Sequence, residues 1–168
     1  MDQNIDKKLE SKENLKIFFN RNKKKIILIF ILIIFIPVIF FIWIDYQNKK
    51  NLIISEKYVE AEVALSKNKK KKAVKYYEDI ILSKNKFYSI LALNTILEKQ
   101  LINDKEKIFK YFSTLEKISF SEENSDLILL KKALYFMKLN NAAESKKILN
   151  ELIKKKSNFK LIAEELLK

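Results

Sequence analysis

Residues 72–80 read Lys-Ala-Val-Lys-Tyr-Tyr-Glu-Asp-Ile, and residues 107–115 read Lys-Ile-Phe-Lys-Tyr-Phe-Ser-Thr-Leu. The two stretches align without a gap, and a weaker third copy runs from Glu144 to Leu152. Ala73, Ile108 and Ser145 hold the register, with spacings of 35 and 37 residues. Twelve residues upstream of each stand Ala61, Ile96 and Ala133. Tyr77, Phe112 and Leu149 take the large apolar position four residues on, and Ile80, Leu115 and Leu152 take the next.

A helical pair that recurs at about 34 residues is the tetratricopeptide period. One helical hairpin cannot bury its own apolar face, so hairpins stack into a continuous core and a terminal helix closes the last one. Phe159, Ile162, Ala163 and Leu166 supply a stripe for that closing helix. Ile96 and Ile108 stand where small residues are usual.

Around the repeat, apolar residues recur at three and four. Leu127, Leu130, Leu134 and Met137 form one stripe, and Ile148, Leu149, Leu152 and Ile153 another. No stretch alternates with period two for long, and a chain with no Gly and one Pro lacks the usual residues of hairpin turns. The expected fold is all-α. Asn, Ser and Asp mark the helix breaks, because they cap helices and Asn tolerates the left-handed conformation. The breaks predict about seven helices after the apolar segment, near 51–66, 69–83, 86–102, 104–118, 123–139, 141–155 and 158–167.

Before the repeats lies an apolar run of 19 residues from Ile26 to Ile44. At about 1.5 Å per residue it matches a bilayer's hydrocarbon core and reads as a transmembrane helix. Pro37 inside it predicts a tolerated kink, and Trp43 marks the headgroup level. The long basic lead and the absence of a small-residue cleavage pattern favour an uncleaved anchor over a signal peptide. Arg21, Lys23, Lys24 and Lys25 crowd the near side, with fewer basic residues beyond the run. That excess predicts a cytoplasmic N-terminus and an exported C-terminal domain, periplasmic in a bacterium. The expected organisation is a cytoplasmic basic tail (1–25), a transmembrane helix (26–44) and an exported repeat domain (45–168). Within the tail, Leu15, Ile17, Phe18 and Phe19 suit either an amphipathic helix on the inner leaflet or a disordered segment.

With no Cys, His or Gly, the chain has no zinc finger, no His-based triad, no thiol chemistry and no glycine-rich phosphate loop. No Ser–Lys pair or carboxylate pair stands out, and Glu122-Glu123 and Glu164-Glu165 read as exposed helix faces. No enzyme activity, cofactor, metal or small-molecule substrate is expected. The formal net charge is +13. Lys67 to Lys72 read first as a solvated turn, with an anionic lipid or an acidic partner as the alternative. Nucleic acid is not expected on an exported domain. Exposed aromatics on the helices near 51–66, 86–102 and 123–139 would be partner-binding candidates, drawn from a set that includes Tyr58, Tyr76, Phe87, Tyr88, Tyr111, Tyr135 and Phe136.

Lys16-Ile17-Phe18-Phe19, the anchor to Trp43, Ser55-x-x-Tyr58-x-x-Ala61, Phe87 to Leu93 and the closing Ile162 to Leu167 follow in an order that resembles a bacterial family. Its members have one N-terminal inner-membrane anchor and a periplasmic tetratricopeptide-like domain, and the best known is an ancillary subunit of the Sec translocon. The resemblance implies a non-enzymatic docking module beside SecYEG, associating with a membrane-anchored periplasmic chaperone. It implies no particular binding residues. Lys, Ile and Asn replace the Ala and Gly typical of that family. Two other classes compete: a coiled-coil membrane stalk of a division or rotary-motor assembly, and a cytoplasm-facing basic tether for ribosomes or nucleic acid. Helix breaks every 15–20 residues argue against the stalk, and the tether requires inverted topology.

Overall fold

The computed structural model describes residues 3–168, with side chains described at 17–18, 21–25 and 27–168. Seven helices follow one another: α1 (Gln3–Ser66), α2 (Lys70–Leu82), α3 (Tyr88–Glu98), α4 (Lys105–Glu116), α5 (Glu122–Lys138), α6 (Ala142–Lys154) and α7 (Lys160–Glu165). The fold is all-helical, with no strand among the described residues. The anchor and the first domain helix, expected as separate elements, are one 64-residue helix. Residues 45–51 contain no Gly or Pro to end it, and Lys49 pairs with Asp45 one turn back at 2.7 Å. Helical assignment is likewise unbroken across Pro37.

The chain divides into two compact units, Met1–Lys50 and Asn51–Lys168. In the first, the apolar side chains from Ile27 to Trp43 are all exposed, and α1 is long and apolar enough to cross a membrane. Trp43 stacks on Phe40 at 6.2 Å. Ile44 is half-exposed, Arg21 and Lys23–Lys25 are exposed, and the Ile26 side chain lies outside the described residues. Of the tail's apolar cluster, Ile17 and Phe18 are exposed, while Leu15 and Phe19 also lie outside the described side chains.

In the second unit, local chemistry ends and starts each helix. Asp104, Ser121 and Asn141 accept hydrogen bonds from the backbone N–H groups of Lys107, Asn124 and Glu144, capping α4, α5 and α6. Helix ends turn through left-handed residues: Asn68 (φ 56°), Lys84 (57°), Gln100 (48°), Asn140 (57°) and Lys156 (56°). Asn serves at two of these positions; Lys and Gln stand at the other three, with Asn85 and Asn158 close after Lys84 and Lys156. At four of them the following N–H reaches back to close the helix, as in Lys69 to Ala64 (2.9 Å) and Ser157 to Leu152 (3.0 Å). Those bonds satisfy carbonyls the helix would otherwise leave bare, and they offset the left-handed strain.

Two apolar clusters form the core. One gathers Ile54, Ala61, Tyr77, Ile80, Ile96, Ile108, Phe112 and Leu115 with Ile128 of α5. The other gathers Leu130 and Ala133 of α5 with Leu149, Leu152 and Ala163. All twelve repeat-register residues named above are buried: Ala61, Ala73, Tyr77, Ile80, Ile96, Ile108, Phe112, Leu115, Ala133, Ser145, Leu149 and Leu152. Ala133 on α5 and Ser145 on α6 are both buried, and α5 and α6 pack extensively. Ile96 on α3 and Ile108 on α4 stand at the equivalent positions, also buried, and α3 and α4 touch far less.

Candidate functional site

Half of one predicted core stripe is not core. Leu130 is buried, but Leu134 is 42% exposed and Met137 38%. Leu134 lies on the flank of α5 that faces α3 across an open groove, and no further described helix packs over it.

A groove of about 240 Å³ opens between α3 and α5. Leu97, Leu134 and Tyr135 form its apolar floor, and Glu98, Lys131 and Lys138 its charged rim. A smaller cavity of about 130 Å³ shares Leu97, Tyr135 and Lys138 and extends the depression towards Ile102 and Lys105. The floor is held in place from below. The Tyr135 ring meets Phe109 edge-on at 5.5 Å and lies 6.1 Å from Phe112. Burial, with the charge of Asp104 second, pushes the Tyr135 phenol up from its ordinary pKa, so it stays a neutral hydroxyl.

The rim is organised as well. Asn94 donates to Glu98 Oε1 at 2.7 Å and accepts from Lys131 Nζ, which fixes both charges on opposite lips. Lys138 has no ion-pair partner among the described residues. An apolar trough with a two-to-one basic rim suits a peptide segment with an apolar anchor and an acidic neighbour. It offers no nucleophile–base pair, and among the described residues no three metal-ligating side chains converge.

No protein-family model, curated protein or solved structure matches the chain. The geometry therefore carries the functional argument.

The candidate aromatics sort cleanly. Tyr77, Tyr111 and Phe112 are buried, Tyr58, Tyr76, Tyr88, Tyr135 and Phe136 are half-buried, and Phe87 is 63% exposed. Tyr58 packs between Tyr77 and Tyr88, so it belongs to the core wall of α1 and is not a free binding ring. Asn94, Leu97, Lys131 and Lys138 carry no sequence signal that separates them from the other helical surface residues. Only the missing cover over Leu134 reveals them.

Proposed function

We propose that this chain is a single-pass bacterial inner-membrane protein whose exported domain binds other proteins. The observation that carries the reading is the α3–α5 groove, whose fixed apolar floor stands open beside a charged rim. The exposed apolar length of α1 supports an anchor, and the basic residues Arg21 and Lys23–Lys25 ahead of it support an N-terminus kept in the cytoplasm. Burial of equivalent residues in three successive hairpins supports a tetratricopeptide-like array. The mechanism is scaffolding: the anchor confines the domain to the membrane surface and raises its effective concentration for membrane partners. The order of anchor, repeats and closing helix favours the neighbourhood of SecYEG and a membrane-anchored periplasmic chaperone, with a role in export or envelope-protein folding.

The native chain has no cysteine, so Ala143→Cys on the exposed first turn of α6 gives a clean topology probe. Labelling by a membrane-impermeant maleimide before inner-membrane lysis is the expected result; labelling only after lysis would overturn the exported placement. A photocrosslinker at Leu134 then tests the groove. Adducts with translocon or chaperone subunits, lost on Lys131→Glu/Lys138→Glu, are expected. Adducts that survive that change would remove the groove from the reading.

A further inference from the structure

The first helix of a stacked array has one flank that no neighbour covers. On α1, Ile54, Ala61 and Ala64 are buried, while Leu52, Val59 and Val63 are 58%, 61% and 44% exposed. The exposed three stand at i, i+7 and i+11, one stripe along the helix. Val59 and Val63 meet Tyr76 of α2 in a groove of about 310 Å³, and Lys67, Lys69 and Lys72 line its edge. Glu60 is the one acidic residue in the lining.

The lysines outnumber that acid and are unpaired. Among the described residues, none of the lysines at 67, 69, 70, 71, 72 and 75 forms an ion pair. The first turn of α2 has no acidic residue, and its N-cap, Lys69, makes no side-chain capping bond. The positive end of the helix dipole therefore adds to the lysines, an arrangement that disfavours the free state. Lys72 Nζ sits 5.5 Å above the Tyr76 ring, which holds one of the charges over the groove.

We propose that this flank docks an acidic amphipathic helix of a partner protein, which stacks on α1 as a further element of the array. The apolar stripe takes the partner's apolar face, and the lysines take its carboxylates. A lipid surface fits less well, because the groove's apolar walls are two valines and a tyrosine edged by lysines, whereas a bilayer is engaged by stretches of bulky side chains. The site is separate from the α3–α5 groove and does not depend on which side of the membrane the domain occupies.

The test uses the full chain in nanodiscs of neutral phosphatidylcholine. The probe is a fluorescent helical peptide of about five turns, with leucines on one stripe and glutamates beside it. Saturable binding is expected, weakened at least roughly tenfold by Lys67→Gln/Lys69→Gln/Lys72→Gln and also by Val63→Asp. The glutamine variant removes the charges and keeps an unbranched-stem polar side chain, and unchanged helix content by circular dichroism verifies its fold. Equal binding of a scrambled peptide with the same composition would reduce the effect to bulk charge and overturn the proposal. Wild-type affinity in the variants would overturn it too, as would a chain that ignores the peptide and binds phosphatidylglycerol vesicles through the same lysines.

Discussion

The buried phenol of Tyr77 on α2 donates to Glu62 Oε1 on α1 across 2.5 Å. Tyr111, at the position just before Phe112 in the second repeat copy, is equally buried but its hydroxyl has no hydrogen-bond partner. The two phenols therefore predict opposite responses to the same change. Tyr77→Phe loses a bond to a charged acceptor and lowers stability by about 1–2 kcal/mol. Tyr111→Phe removes an unsatisfied group and is neutral or stabilising by up to about 1 kcal/mol. Urea unfolding of the detergent-solubilised chain measures both.

The same two groups set an alkaline limit. Burial, then Glu62, pushes the Tyr77 phenol up; burial, then Glu78, pushes Tyr111 up to about 12. Each folded value lies above the unfolded value of about 10, so the folded state holds its protons longer. Both contributions are complete below about pH 10; that of Tyr111 is lost as pH rises through about 12, and that of Tyr77 persists to higher pH. The urea midpoint should fall steeply across that window, and Tyr77→Phe/Tyr111→Phe should flatten the fall.

Lys84, Gln100 and Lys156 turn helix ends at φ 57°, 48° and 56°. A side chain with a Cβ is strained there, and glycine is not. Each change to Gly should raise the thermal midpoint, with a gain of about 0.5–1 kcal/mol. Lys117, which ends α4 at φ −83°, is the control: Lys117→Gly should bring no gain.

The register position of the third repeat carries Ser145, buried with its hydroxyl unpartnered, where the first carries Ala73. Ser145→Ala should stabilise by about 1 kcal/mol. Ala73→Leu, at a site with no exposed surface, should destabilise by about 1–3 kcal/mol through overpacking. Thermal unfolding followed by far-ultraviolet circular dichroism reads both changes.

Asp126, 2% exposed on α5, pairs with Lys155 just beyond α6. Removing the cation leaves a buried carboxylate alone, so Lys155→Ala should lose about 3 kcal/mol, while the neighbouring exposed Lys154→Ala should lose almost nothing. Guanidinium unfolding of the two variants gives the comparison.

Local pattern determined much of this protein. Spacing at three and four, together with the absence of glycine, predicts a helical chain, and the repeat alignment picked out twelve residues that are all buried. Asp104, Ser121 and Asn141 were legible as helix starts because capping needs only a side chain and the next three residues. Continuity of α1 was not legible: polar residues at 45–51 look like a break, yet nothing in them opposes helical φ and ψ. Nor was the left-handed conformation of Gln100 and Lys156, where backbone bonds to the preceding helix outweigh residue preference, or of Lys84, where the next N–H bonds the Ser83 hydroxyl. The groove was least legible of all. Leu134 belongs to a regular apolar stripe, and periodicity assigns it to a core. Whether that stripe is covered depends on which helices pack against α5, and here Leu134 faces α3 across an open groove. A sequence pattern can say which face of a helix is apolar; only packing says what, if anything, comes to lie against it.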